Sequence, residues 1–421
     1  MPPKPKRRTF EPHWQTTGGE VRLYHGDVIE VLRRMPAKSV QTVVTSPPYW
    51  GLRDYGVKDQ IGLEKTPQEY VRKMVEVFAE VHRVLRDDGT LWLNLGDTYG
   101  GGKKGNTQGT STSSLHYRSP REDLEELREQ SSGLNRSPVK GLAAGNLVGI
   151  PWRVAFALQE WGWVLRQDII WHKPSPMPES VRNRCTKAHE YIFLFAKSQR
   201  YFYDAEAVKE ETNKQYIWRQ QPYKCGDLTI HHKNSSSVKI DKRGSRNKHS
   251  VWTVAGESYS GAHFATFPRK LITPCVLAGT SEKGACAKCG APLRRVVETG
   301  EYTNSDRPSK RKAGSPHEQG DSMLKVGGGC WPTKTKGWEK TCDCKTRKTR
   351  PCVVLDPFVG SGTTCVVSIV NGRHCWGIDL SKEYLDNNAV PRIEGALLDR
   401  PALAPLLGYG NERMELGRRV V

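Results

Sequence analysis

The sequence predicts an α/β fold, with strands and helices alternating along the chain. Three observations carry this expectation. A β-branched run, Val40–Thr45 (VQTVVT), and an apolar run, Thr90–Leu95 (TLWLNL), flank a stretch with helical spacing. Val353-Val354-Leu355 leads into a glycine-rich turn, an apolar helical stretch and a short strand, Cys375–Ile378. Between these blocks, Pro151–Trp161 reads as a helix followed by two strands, Trp163–Trp171 and Glu190–Ala196.

Residues 40–45 suit a buried strand, because β-branched side chains pack well on both faces of a pleated sheet. Over 66–85, Val71, Met74, Val75, Phe78, Val81, Val84 and Leu85 recur at helical intervals. Thr66 is placed to cap that helix. Pro67 can open it, since the first turn leaves its N–H unpaired in any case. Asp87-Asp88-Gly89 is expected to break that helix, with the 90–95 strand following. Residues 99–145 are rich in Gly, Ser, Thr and Lys, with one charged helical candidate at 121–130, and read as a mobile insertion. Residues 205–250 are polar and basic, and 299–337 form a second loose stretch. Cys365–Asn371 is the helix expected after the glycine turn.

Composition narrows the function. The 421 residues carry 65 Lys and Arg against 45 Asp and Glu, for a formal charge of +20. At about 150 residues per domain, the length fits two or three folding units. No apolar run of about 18 residues exists; Leu147–Leu165 comes nearest, yet it contains Arg153, Gln159 and Glu160. A membrane partner is therefore not expected. The start, MPPKPKRRTF, is basic with no apolar segment behind it, which argues against secretion. Eleven cysteines then fit thiols or a metal site in a reducing, cytoplasmic setting. The positive excess points to a polyanion, with nucleic acid first.

The glycine turn is the strongest local signal. Asp356-Pro-Phe358-Val-Gly360-Ser361-Gly362-Thr363-Thr364 joins a strand to a helix. Glycines there let the backbone approach a ligand closely. The next strand ends at Asp379, 23 residues after Asp356. An acid at about that spacing is placed to accept hydrogen bonds from ribose hydroxyls. No Gly-Lys-Ser/Thr follows, so the turn suits a nucleoside cofactor better than ATP.

A second signal follows the 40–45 strand: Ser46-Pro47-Pro48-Tyr49-Trp50. Two prolines fix the backbone and remove two N–H donors, freeing carbonyls to face outward as acceptors. Ser46 Oγ and the Pro47 carbonyl could accept the two N–H bonds of an amino group on a planar ring. An exposed Tyr49 would stack on that ring.

Together the two motifs resemble the DNA amino-methyltransferases that use S-adenosylmethionine, in the permuted class where the catalytic motif precedes the cofactor motif. TSPPYW (45–50) resembles the catalytic motif and DPFVGSGTT (356–364) the cofactor motif. HGDVIEVLRRMP (25–36), 147–174, 182–198 and HFATFPRKLI (263–272) are similar to other family segments. The resemblance implies a Rossmann-like, seven-stranded, mostly parallel sheet with an inserted target-recognition region and a small zinc-ribbon-like insertion. It implies a catalytic half at 20–204, target recognition at 205–255, a cofactor segment at 256–282, a zinc-binding insertion at 283–350 and the cofactor half at 351–400. It places Asp27 near the adenine, Asp379 near the ribose, and Phe358–Thr364 around the cofactor. His263–Pro268, including Phe267 and Pro268, would hold the methionine end. It implies double-stranded DNA as partner and places a cognate restriction nuclease among the expected partners. Whether the chain is a monomer or a dimer is not legible.

In this family, Ser before Pro-Pro-Tyr usually accompanies cytosine N4 methylation, and Asp or Asn there adenine N6 methylation; position 46 is Ser. An exocyclic amine is a poor nucleophile because its lone pair is delocalised into the ring. Two fixed acceptors draw it towards tetrahedral geometry, so positioning and electrostatics supply the acceleration. A paired base cannot reach such a pocket and must flip out or arrive single-stranded. Methylation at cytosine C5 would instead need a thiolate. Cys275 and Cys352 each follow a proline, but Cys352 opens a core strand and should be packed.

Cys286-Ala-Lys-Cys289-Gly290 is a metal-type turn, and Cys342-Asp-Cys344 could complete a four-thiolate structural zinc site, with Cys330 as an alternative ligand. The 52 residues between the pairs are tolerable because loop-closure entropy grows slowly. Residues 205–250 and 281–350 hold thirteen of the net twenty positive charges. Tyr216, Trp218, Tyr223, His231 and His232 interleave the first, which suits phosphate and base contacts. An RNA methyltransferase and a non-catalytic zinc-containing nucleic-acid binder are the rival readings. The intact catalytic and glycine motifs argue against the latter.

Overall fold

The computed structural model describes residues 10–52, 56–57, 59–101, 142–211, 224–225, 228–229, 245–257, 266–299 and 333–399. The chain forms two units, one of 1–204, 249–294 and 340–421, the other of 205–248 and 295–339. Among the described residues of the second unit, Glu210–Glu211 pairs antiparallel with Ser245–Arg246, and Thr333 Oγ1 donates to Glu206. Residues 102–141 of the predicted insertion at 99–145, and the aromatic and histidine positions 216, 218, 223, 231 and 232, lie outside the described residues, as do His263 and Cys330.

The first unit is built on a nine-stranded sheet. Its strands are β1 (Trp14–Gln15), β2 (Val21–His25), β3 (Val40–Thr45), β4 (Leu85–Leu95), β5 (Val164–His172), β6 (His189–Ala196), β7 (Val251–Thr253), β8 (Val353–Asp356) and β9 (His374–Asp379). In space the order is β1-β2-β9-β8-β3-β4-β6-β5-β7. Strands β2, β9, β8, β3 and β4 run parallel, and β6 is antiparallel to both β4 and β5. Seven longer strands thus match the expectation, and the short β1 and β7 extend the two edges.

Among the described residues, six α-helices longer than a single turn cover the sheet: α1 (Val28–Arg34), α2 (Pro67–Val84), α3 (Ile150–Trp161), α4 (Arg269–Gly279), α5 (Thr363–Val370) and α6 (Val390–Leu398). Helices α1, α2 and α3 pack together on one face, burying Leu32, Tyr70, Met74, Phe78, Val154 and Leu158 against Val43, Leu91 and Phe193. Helices α4, α5 and α6 pack together on the other. Helix α5 is buried along its whole length, and its buried Thr364 and Ser368 hydroxyls are hydrogen-bonded to Asp356 and to the Thr364 carbonyl. Thr66 caps α2 in a reciprocal box with Glu69, with Pro67 at the first position, as expected.

Two boundaries differ from the expectation. Asp87-Asp88-Gly89 does not separate helix from strand, because α2 ends at Val84 and β4 begins at Leu85 immediately after it. Gly89 sits where a Cβ would strike Leu85 and the Gln41 carbonyl, so glycine there permits close strand contact. Helix α5 starts at Thr363, two residues early, with Gly362 left-handed just before it (φ +78°).

The topology fixes where a ligand can sit. Strands β3 and β8 are neighbours, but the chain leaves them towards opposite edges, β3 to β4 and β8 to β9. Such a switch point opens a crevice beyond the carboxyl ends of the two strands. The Ser46–Tyr49 segment leaves β3 there, and the glycine turn leaves β8.

Candidate active site

Asp356 ties the two motifs together. Its carboxylate is 1% exposed. Oδ1 accepts from Thr45 Oγ1 (2.7 Å) and Phe358 N (3.0 Å), and Oδ2 accepts from Thr364 Oγ1 (2.6 Å). Thr45 directly precedes Ser46, so this acid braces the catalytic segment against the glycine turn. Burial pushes its carboxyl up to about 6. Asp356 and Thr364, expected around the cofactor, therefore spend their polar atoms on the protein. Ser361 and Thr363 are buried too, and Arg392 of α6 donates to both hydroxyls.

The turn itself is open. Gly360 is left-handed (φ +49°), and a Cβ there would meet nothing nearer than Tyr384 at 3.8 Å. Its N–H donates to Asp379 Oδ2 (3.0 Å), and Ser381 N donates to Oδ1 (2.9 Å). A carboxylate has about four lone-pair positions, so capacity remains on Asp379 for a ribose hydroxyl. Burial raises the Asp379 carboxyl above its ordinary range. Strand pairing sets His25 opposite Asp379, and Gly26 N donates to the Asp379 carbonyl. Asp27 is thereby delivered beside the same crevice, where its Oδ1 caps α1 through Ile29 N and Glu30 N. Pro268 precedes the first residue of α4, which packs on α5, and Phe267 before it is half-buried. An open glycine cradle flanked by Asp379 and Asp27 fits the adenosine portion of S-adenosylmethionine.

The catalytic segment departs from the expectation in two ways. Pro48's carbonyl is not freed outward, because Tyr70 Oη donates to it (2.9 Å). Among the described residues no donor reaches the Pro47 carbonyl. Tyr49 is half-buried rather than exposed. Its ring fills the space that a Cβ on Gly96 would occupy. Its hydroxyl lies 3.0 Å from Asn94 Oδ1 and 2.8 Å from Glu190 Oε2, and Ser46 Oγ donates to it at 3.3 Å. Burial, then the Glu190 charge, pushes the phenol well above its ordinary value.

Several contributors were not found from sequence. Asn94 and Glu190 anchor Tyr49, and Lys173 pairs with Glu190. Asp97 accepts from Gly149 N and Ile150 N, so it caps α3 where no side chain of Gly149 could. Asn94 was the detectable one, as a polar residue inside the TLWLNL run. Cys275 and Cys352 are buried, and burial pushes the Cys352 thiol up to about 11, which makes it a packed thiol and no nucleophile.

The cysteines Cys286, Cys289, Cys342 and Cys344 come together with all four sulfurs within 4.8 Å of one another. Tetrahedral zinc–thiolate geometry needs about 3.8 Å between sulfurs, so the donor set fits. Cys286 N donates to the Ala291 carbonyl, and Gly290 N (φ +74°) to the Cys286 carbonyl, closing the turn. Gln41, buried in β3, donates through Nε2 to the Gly290 carbonyl (2.9 Å) and accepts from Val353 N (2.6 Å). The cluster thus braces the starting ends of β3 and β8. Five strand residues, about 17 Å, separate Gln41 from Ser46. The exposed cations flanking the cysteines, Lys283, Lys288, Lys345, Arg347 and Lys348, accordingly lie near the sheet end opposite the crevice.

A switch-point crevice with a glycine cradle on one lip and a proline-fixed acceptor on the other defines an S-adenosylmethionine-dependent methyltransferase. The chain belongs to the DNA methylase family of N6 and N4 amino-methyltransferases, whose sequence profile matches residues 40–287 and 350–390. It is 37% identical over 373 residues to the type II methyltransferase M.Cfr9I of Citrobacter freundii, covering 89% of this chain and 87% of that protein. It is also 37% identical over 394 residues to the type II methyltransferase M.XycI of Xanthomonas campestris pv. cyanopsidis, covering 94% of each. Among solved structures it is similar to PvuII DNA methyltransferase (cytosine-N4-specific), with a TM-score of 0.47 and 16% identity over 95% of this chain and 96% of that one. Among the described residues no helix is long and apolar enough to cross a membrane.

Proposed function

We propose that this DNA methyltransferase acts on the N4 amino group of a flipped cytosine in duplex DNA. The observation that carries the base choice is Ser46, a neutral hydroxyl at the first position of the catalytic segment, with its proton directed to Tyr49. Ser46 Oγ and the Pro47 carbonyl accept the two amine N–H bonds and pull the nitrogen towards tetrahedral geometry. Tyr49, fixed by Gly96 and by its hydroxyl, offers a ring face for the base. Asp379 holds the ribose, and Gly360 allows the backbone close to the cofactor. S-adenosylmethionine, when bound, supplies the electrophilic methyl group. The test is methylation of a mixed DNA pool followed by nucleoside mass spectrometry. N4-methyldeoxycytidine is the expected product; N6-methyldeoxyadenosine alone overturns the base assignment. Ser46→Ala should lower the single-turnover rate about a hundredfold while leaving cofactor affinity intact.

The four cysteines are proposed to hold a structural zinc ion, since four thiolates leave no open position. Residues 205–250, with ten cations against five acids, are proposed as the target-recognition region. Log affinity for DNA should then fall linearly with log salt, and replacing those cations should make the slope shallower. An unchanged slope assigns the charge to another role.

A further inference from the structure

The hydroxyl of Tyr49 meets two groups that cannot donate to it. Asn94 presents Oδ1, because its Nδ2 is committed to the Tyr191 carbonyl (3.0 Å) and to Glu190 Oε2 (3.3 Å). Glu190 presents a carboxylate oxygen, with its other oxygen paired to the Lys173 ammonium. The single phenol proton must therefore go to one of these two acceptors, the charged Glu190 oxygen being the nearer, and the phenol keeps it because burial opposes its loss. The remaining partner, Ser46 Oγ, has to donate to Tyr49. That turns the Ser46 lone pairs away from the tyrosine. The 3.3 Å separation is long for two hydroxyls, and such contacts commonly tighten once substrate is bound.

We propose that Glu190 is a positioning residue for methyl transfer, setting the direction of the Glu190–Tyr49–Ser46 hydrogen-bond chain so that Ser46 meets the target amine as an acceptor. The proposal rests on the reading that Ser46 receives the amine. A reversed chain would aim the Ser46 proton at the amine lone pair, where it would block attack on the methyl group. Lys173 sustains the direction by holding the carboxylate in place. Serial hydroxyls also polarise one another, which strengthens the final acceptor.

Glu190→Gln supplies an amide that can donate to Tyr49 and reverse the chain. Tyr49→Phe keeps the ring on Gly96 and removes only the link. Single-turnover methylation of unmethylated mixed DNA by the full chain, with cofactor affinity measured in parallel, separates the outcomes. Each single variant is expected to be slower by about tenfold or more, with cofactor affinity and KM for DNA unchanged. The double variant should be no slower than Tyr49→Phe, and Glu190→Gln should be silent in a Ser46→Ala background. Multiplying losses in the double variant, or a rate loss matched by weaker cofactor binding, overturns the proposal in favour of a general structural role for Glu190. Ser46→Ala at full rate removes the underlying reading of the site. Ser46→Ala slow with Glu190→Gln at full rate removes the inference alone.

Discussion

Asp356→Ala is expected to cost about 3–5 kcal/mol of stability and to lower kcat/KM about a hundredfold. The carboxylate receives three donors, Thr45 Oγ1, Thr364 Oγ1 and Phe358 N. At 1% exposure, water cannot replace it. Removing it strands those donors in the core and unpins Thr45, which precedes Ser46, the residue proposed to receive the amine. Asp356→Asn is the informative companion, because it keeps the shape and an acceptor oxygen but removes the charge. The folded-state carboxyl sits near 6, above the ordinary value of 3.8. The native state therefore holds this proton more tightly than the unfolded chain does. The contribution is fully favourable below the unfolded value and is lost as pH rises through about 6. Relative to Asp356→Asn, the natural protein should lose on the order of 2 kcal/mol between pH 4.5 and 7.5. Urea unfolding of both proteins across that range measures it. A flat difference would mean that neighbouring groups compensate the buried charge.

The features legible in the sequence share one property: their chemistry lies within a few adjacent residues. Ser46–Tyr49 and Gly360–Thr364 each announce a backbone geometry through Pro or Gly. Asp379 follows at a spacing that one helix and one strand dictate. The cysteine quartet was read from two short pairs. What escaped is made by partners far apart in the chain. Glu190 reaches Tyr49 across 141 positions, and Gln41 reaches Val353 across 312. No local pattern specifies that β6 and β8 become neighbours of β4 and β3. The bracing contacts of Asp356 escaped for the same reason. In sequence it stands at the head of the cofactor turn, and only the pairing of β8 with β3 brings Thr45 to it and turns its oxygens inward. The burial of Tyr49 likewise depends on β4, which sets Gly96 under its ring. Gln41 and Asn94 could have been flagged, since each is a polar residue inside an apolar strand that must be hydrogen-bonded when buried.

Removing zinc is expected to destabilise the catalytic sheet without touching the crevice. Cys286→Ser/Cys289→Ser should lose bound metal by elemental analysis and lower the melting temperature by about 5 °C or more. The route runs through Gln41. With the turn loosened, its Nε2 loses the Gly290 carbonyl, and its hold on Val353 N slackens at the start of β8. Arg86 at the start of β4, which donates to the Cys289 carbonyl, keeps only its Asp88 pair. The Gln41 contact lies about 17 Å from Ser46 along β3, and Arg86 stands at the corresponding starting end of β4. Near 20 °C, well below the transition, the single-turnover rate should therefore stay close to that of the natural protein, while the same variant inactivates sooner on warming. Gln41→Leu tests the connection separately: zinc should remain bound, and the melting temperature should fall because Val353 N and the Gly290 carbonyl are left unpaired in the core. A zinc-free natural protein with the same melting temperature as the zinc-loaded one would leave the four thiols as packing alone. A rate loss at 20 °C equal to that of Ser46→Ala would mean that the brace controls the crevice directly and that β3 transmits strain along its whole length.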